Sequence, residues 1–353
     1  MIAKETLQTL ALAATVAPSI DNCQPWRIRL HGNRLTICLD EERASFFGDY
    51  AFTGSYVTIG CMLENIAIAA SSYNLKEDVV LFPEGLNGPV ASVSFTENGG
   101  LQKDQLIAHI NTRCTNRRPY RSVPLDASDL AALQGIVPPS KGQLKLFTDR
   151  ESMKKLFKLS ADVDSVIFSH HLLHENLFKW IRWDNKDAER TKDGMPLASL
   201  ELDMLVRQFF RLISSWNTLS LLNRIALNRL IGLLNSSLLL RSSAVGLIIM
   251  DTSENVDFIE GGRFLERVWL TAQAHGLAFQ PFGGMPFLLT RIIKAGSDGF
   301  TQKQYELLTS VFERLKTLAG ITDNNAMIML FRTGYAPPPS GRTIRRPLSE
   351  VMI

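Results

Sequence analysis

The sequence predicts an α+β protein, a sheet flanked by helices and built from two related halves, with a helical insertion in the second half. Three observations carry this. Alternating residues at 26–30 and 34–39, and the continuous apolar run Ala244–Met250, read as strands. Long helical segments at about 54–74, 258–275 and 301–318 lie between them and other strand-like runs. Two blocks also repeat at a constant offset. Gly60-Cys61-Met62-Leu63-Glu64-Asn65-Ile66 through Leu75 corresponds to Gly262-Arg263-Phe264-Leu265-Glu266-Arg267-Val268 through Leu277. LALAATVAPS at 10–19 likewise corresponds to LAALQGIVPPS at 130–140.

In chain order, a helix at 2–16 leads into the strands at 26–30 and 34–39, and the helix at 54–74 follows. Strands at 79–83 and 90–95, a helix at 101–112 and a short helix from Leu125, capped by Asp126 or Ser128, come next. Residues 151–240 read as mostly helical, broken at Asp184–Leu197. Beyond the strand at 244–250 lie the helix at 258–275, a loop at 280–287, the helix at 301–318 and a strand at 326–332. The two halves are expected at 1–110 and 111–353, the second including the insertion at about 160–240. Interleaved strands and helices by themselves fit α/β as well as α+β.

Composition narrows the function. With 353 residues, 45% hydrophobic and 21% charged, the chain is long enough for one large core or two ordinary ones. A net charge of +3 is too balanced to call for nucleic acid or a membrane partner. No apolar run reaches the ~18 residues of a spanning helix. The four cysteines, Cys23, Cys38, Cys61 and Cys114, form no C-x-x-C pair and have no His at ligand spacing, which argues against a metal and fits reduced thiols in the cytoplasm. The expected partner is a small molecule, taken up by a monomeric pseudo-dimer or a homodimer.

Four motifs carry candidate chemistry. Ala17-Pro18-Ser19-Ile20-Asp21-Asn22-Cys23-Gln24-Pro25-Trp26 ends a helix at a proline and packs short polar side chains into a sharp turn. Such a turn suits a ligand with many oxygens and ring nitrogens. Its repeat counterpart, PPSKGQLKLF, lacks the Asn, the Gln-Pro and the Trp, so one working loop and one degraded copy are expected. Arg113-Cys114-Thr115-Asn116-Arg117-Arg118 clusters guanidinium groups and a hydroxyl, a pattern suited to an anion but equally found on charged surfaces. Gln280-Pro281-Phe282-Gly283-Gly284-Met285-Pro286 offers paired glycines whose backbone a planar ligand can approach, or a plain turn. Gly334-Tyr335-Ala336 through Arg342-Thr343-Ile344-Arg345-Arg346 is a basic tail.

Together, in order and spacing, these motifs resemble the nitroreductase-like FMN flavoproteins, closest to the long single-chain subgroup with two fused half-domains. The resemblance covers nearly the whole chain. It implies a nitroreductase-like fold and an FMN-dependent oxidoreductase. Electrons would pass from NAD(P)H to a nitroaromatic, a quinone or a similar small acceptor by a ping-pong scheme, the flavin rather than an acid–base pair performing the redox step. By the same resemblance Arg113, Thr115 and Arg117 face the FMN ribityl and phosphate. Pro18, Ser19, Asn22, Gln24 and Trp26 form the flavin loop, Gly283 and Gly284 offer backbone N–H groups to flavin N5, and Arg342 and Arg345 reach the phosphate, with Arg346 as a substitute. Two departures stand out: Ile20 replaces a frequent second Ser, and Gly283 replaces an acidic residue. The insertion has no counterpart in the compact enzymes and reads as a lid, a dimerisation arm or both. A flavin-sequestering protein whose lid blocks turnover is the alternative.

Overall fold

The computed structural model describes residues 2–353. Its first half runs α1 (Lys4–Thr15), β1 (Trp26–His31), β2 (Arg34–Leu39), α2 (Glu41–Ala44), α3 (Thr53–Ser71), β3 (Leu75–Leu81), β4 (Ala91–Glu97) and α4 (Ile107–Ile110). The second begins with α5 (Ala127–Gln134), β5 (Gly142–Phe147) and α6 (Arg150–Ile167). It continues through α7 (His171–Lys179), β6 (Ile181–Arg182), α8 (Asn185–Thr191), β7 (Met195–Pro196), α9 (Met204–Leu212), α10 (Trp216–Leu222) and α11 (Leu227–Leu240). It closes with β8 (Ala244–Met250), α12 (Asn255–Ala274), β9 (Ala278–Phe282), α13 (Gly284–Ala295), α14 (Gln302–Ala319), β10 (Ala326–Gly334) and α15 (Leu348–Val351).

The α+β class holds. The strands gather into two four-stranded sheets, ordered β1-β2-β4-β3 and β5-β8-β10-β9, and every pairing within them is antiparallel. Parallel pairing is confined to the short β6–β7 ribbon. Each sheet therefore orders its strands first, second, fourth, third along the chain, and each places its long helix, α3 or α12, between the second and third. A two-residue turn joins β1 to β2, with Gly32 at φ +57° in its first position, the sign a type II′ hairpin turn requires.

Burial explains why the second sheet reads as continuous apolar runs. Every residue of β8 and of β10 is buried. Alternate side chains enter different cores: Ile248 and Met250 join α3 and α12, whereas Val245, Leu247 and Ile249 join α6, α13 and α14. A strand covered on both faces has no polar side to alternate with.

Helices α3 and α12 pack directly on each other, and glycine sets their closest approach. A Cβ on Gly60 would overlap the Ile259 carbonyl oxygen, and a Cβ on Gly262 would overlap the Val57 carbonyl oxygen. In the sequence repeat Gly60 corresponds to Gly262 and Val57 to Ile259, so the crossing is self-complementary across the two blocks.

Three segments depart from the sequence reading. The expected helix at 101–112 is helical only over Ile107–Ile110. Side chains take the amides it would need: Ser71 Oγ accepts from Asp104 N at 2.9 Å, and Asp104 Oδ1 accepts from Leu106 N at 3.0 Å. The expected loop at 280–287 is the end of β9 and the first turn of α13, a start that Gly-Gly-x-Pro disguises as a turn. PPSKGQLKLF, read only as a degraded loop, contains β5, which pairs with β8.

Candidate functional site

A cavity of about 370 Å³ gathers residues from widely separated parts of the chain. The turn after α1, the first turns of α3, the loop after α4, the start of α13, the C-terminal tail and α7 of the insertion all line it. Pro18, Ser19, Asn22, Arg113, Thr115, Arg117, Gly283, Gly284, Arg342 and Arg345 are among its lining residues. Four widely separated segments thus converge on one space.

Gln24 and Trp26 do not line it. Trp26 is fully buried in β1 among the core side chains. Gln24 is fully buried behind the cavity wall, where its Nε2 donates to the Lys192 and Ile344 carbonyls and its Oε1 accepts from Arg346 N at 2.8 Å. Asn22 does similar work in the wall itself. Its Nδ2 donates to the Gly194 and Ile344 carbonyls, both at 2.9 Å, and its Oδ1 accepts from Arg345. Arg346 is buried and bonds Glu350, away from the lining. The turn therefore binds the insertion and the tail to the first half. Its backbone is strained to do so: Asp21, Asn22 and Gln24 all have positive φ, between 49° and 57°.

The charge balance of the wall is one-sided. Four Arg line the cavity against one acid, Asp21. Arg113 is neutralised from behind: its Nε lies 2.9 Å from Glu266 Oε1, its NH2 donates to the Val16 carbonyl at 2.7 Å, and its guanidinium covers the Trp269 ring at 4.4 Å. Arg117, Arg342 and Arg345 have no carboxylate within ion-pair distance among the described residues. Arg117 donates to the Ser199 carbonyl. Arg345 is pushed down to about 9 by burial and then by the neighbouring Arg113 cation, and its Nε has no partner. Burial likewise lowers Arg117. An anion in the cavity would relieve both.

Asp21 is pushed up to about 6 because burial outweighs the pull of Arg117. Asn176 of α7 donates to its Oδ2 at 3.2 Å. Asp21, α7 and the first turns of α3 are site elements the sequence analysis did not single out. Asp21 sits inside the quoted turn, so its acidity in a polar loop was the available signal. Nothing in the α7 sequence points to the cavity, because Leu173, Asn176 and Leu177 meet it only through tertiary packing.

Much of the remaining wall is apolar, with Val57, Ile167, Leu173, Leu177, Phe287 and Leu288. Gly283 and Gly284 bring the N-terminus of α13, with its unbonded first-turn N–H groups, to the same space. The site can therefore hold a ligand that carries both an anionic group and an apolar part.

No family model matches the chain. It is 26% identical over 345 residues to an uncharacterized protein, MT1398, of Mycobacterium tuberculosis strain CDC 1551 / Oshkosh, covering 97% of this chain and 47% of that protein. The chain thus spans about half the length of this relative. It is also 24% identical over 208 residues to "Putative NAD(P)H nitroreductase acg" of the same organism, covering 57% of this chain and 60% of that one. The chain resembles the nitroreductase-like proteins. Solved structures similar to this chain include the FMN-dependent nitroreductase NfnB of Mycobacterium smegmatis in complex with NADPH. That structure is 16% identical and has a TM-score of 0.37, covering 70% of this chain and 96% of its own. The FMN and NADPH-dependent nitroreductase NfnB of a Sphigopyxis strain is 13% identical with a TM-score of 0.39, covering 70% and 97%.

Proposed function

We propose that this chain is an FMN-dependent oxidoreductase that passes electrons from NAD(P)H to a nitroaromatic, a quinone or a similar small acceptor. The observation that carries the reading is the surplus of cavity Arg without carboxylate partners beside an apolar wall and a helix N-terminus. This donor set fits FMN, whose phosphate is dianionic and whose planar ring has apolar faces and one polar edge. Bound FMN would supply the two-electron chemistry that no side chain here provides. Arg117, Arg342 and Arg345 would hold the phosphate, with Arg113 and Thr115 toward the ribityl chain. Pro18, Ser19 and Asn22 would meet the polar edge of the ring, and the Gly283 and Gly284 backbone its N5 side. Gln24 and Trp26 would act from behind, keeping the turn in place. Donors fixed before the ligand arrives need no reorganisation when negative charge develops.

The same proposal takes 1–110 and 111–353 as two fused half-domains, supported by the shared strand order and the reciprocal glycine contacts of α3 and α12. One chain then supplies both sides of the cavity, and a reducing cytoplasm suits its four free cysteines. A second reading, flavin sequestration without turnover, is favoured by α7, which lines the cavity and bonds Asp21. Anaerobic mixing of FMN-loaded protein with NADH or NADPH separates the two. Bleaching within seconds, reversed by a quinone, supports the oxidoreductase. Bound flavin that stays oxidised supports sequestration, and protein that takes up no FMN removes both.

Arg117→Ala and Arg345→Ala should each weaken FMN binding by roughly tenfold or more, because a hydrogen bond to a charged group is worth about 1.5–3 kcal/mol. Flavin-fluorescence titration measures this, and unchanged affinity in both variants would reject the phosphate assignment. The cavity acid adds a pH signature. As pH rises through about 6, Asp21 gains negative charge and should lower the affinity for an anionic ligand. The phosphate itself titrates nearby, so the comparison is with Asp21→Asn, whose affinity should fall less over pH 5–7. Parallel curves for the two proteins would remove Asp21 from the binding balance.

A further inference from the structure

Helix α9 has no buried residue. Met204 and Leu205 are 78% and 81% exposed and Leu212 is 55% exposed. At about 100° per residue these three and Phe209 share one side of the helix. Phe210 lies on the other side, packed against Phe178 and Trp183, so the apolar side points away from the protein. Helix α11 repeats the arrangement. Gly232, Ser236 and Leu239 are buried, and Gly232 faces the α6 backbone at Ala161. Leu230, Leu233 and Leu234 project from the opposite side, and Ile225, just before the helix, is exposed as well. Isolated exposed apolar residues need no explanation, but two outward-facing helical stripes do.

The charge of this segment is more specific than its hydrophobicity. From Met204 to Met250 there are five Arg (Arg207, Arg211, Arg224, Arg229 and Arg241) and no Asp or Glu. The balanced charge of the whole chain conceals this block. A second copy of the chain seated face to face would set these Arg against Arg, with no Asp or Glu between Met204 and Met250 to neutralise them. An anionic lipid surface complements both features, with apolar side chains entering the acyl boundary and guanidinium groups meeting lipid phosphates. No helix of the described residues is long and apolar enough to cross a membrane, and surface attachment needs none. We propose that the outward faces of α9 and α11 dock the protein on an anionic membrane surface. Because α10 packs on both α11 and α7, and α7 lines the cavity, docking would hold the cavity wall close to the bilayer.

The test is co-sedimentation of the full chain with phosphatidylglycerol-rich vesicles and with phosphatidylcholine vesicles, at low and high salt, alongside light scattering of the free protein. Binding is expected on the anionic vesicles, weak on the zwitterionic ones and reduced by salt. Each Arg near an anionic surface contributes about a fivefold gain. Arg207→Glu/Arg211→Glu and Leu205→Glu/Leu212→Glu should therefore each lower binding by roughly tenfold or more. Leu205 and Leu212 are exposed, whereas Arg207 donates to the Leu202 carbonyl and Arg211 lies over the Trp183 ring, so far-UV circular dichroism of both variants checks that the fold is kept. Absence of binding to anionic vesicles, or variants that bind like the parent, overturns the proposal. So does a dimer that Leu205→Glu/Leu212→Glu splits in protein that ignores vesicles, which would give the face to a second copy.

Discussion

Gly262→Val is expected to destabilise the chain by about 4 kcal/mol or more, the extreme of the range for single substitutions. Ordinary overpacking costs about 1–3 kcal/mol because side chains can shift rotamers. Here the new Cβ would meet a carbonyl oxygen of the opposing helix backbone, which cannot rotate away without separating α3 from α12. These helices carry much of the larger core, including Ile59, Met62, Phe258 and Leu265, so separation exposes apolar surface along both. Valine also has a somewhat better helix propensity than glycine, a gain too small to compensate. Denaturant midpoints should show Gly60→Val behaving alike. Gly99→Val, whose Cβ would meet nothing within 4 Å, should stay within about 0.5 kcal/mol of the parent. A stable Gly262→Val protein would mean that the two helices do not cross at this point.

Glu266→Ala is the second large effect, expected at about 3–5 kcal/mol. Glu266 is fully buried and pairs with Arg113, whose side chain is 3% exposed. Burial pushes the Glu266 carboxyl up, and Arg113 is the main influence holding it down. Without the carboxylate, the Arg113 cation remains enclosed between Trp269 and the Val16 carbonyl, and Arg345 lies near it. The lost attraction matters less than the uncompensated charge left behind. Replacing both partners by apolar residues, as in Arg113→Met/Glu266→Leu, should accordingly recover much of the stability. A single-variant loss below about 1 kcal/mol would show that water reaches the pair, contrary to its burial.

The contrast between these residues shows what the sequence made legible. Regular elements whose pattern is local were readable: Ala244–Met250 is the strand β8 to the residue, and the repeat located both members of the α3–α12 pair. The lining residues in the quoted motifs were readable because short polar turns and clustered Arg have chemical consequences wherever they sit. Gln24 and Trp26 belong to the same motif yet face inward, since a motif gives residue types and not the direction of each side chain. Asp21 was hidden by its neighbours, and the roles of Arg113 and Glu266 by their distance apart in the chain. Helix α13 was missed because glycine and proline, which usually break helices, are tolerated in a first turn. The outward stripes of α9 and α11 were unreadable in a different way, because apolar periodicity alone cannot distinguish a core face from a docking face.

The turn at 19–24 has a consequence for how the molecule opens. Asn22 and Gln24 bond the backbone at Lys192, Gly194, Ile344 and Arg346, so three stretches of chain share one small set of bonds. Amides of the tail and of the 192–194 loop should consequently exchange with deuterium as one cooperative unit, at a common opening free energy. Fraying of the C-terminus would not be a local event. It would free the insertion and let three left-handed residues relax, so a protease that nicks the tail should find the 192–194 loop newly cleavable in the same molecules.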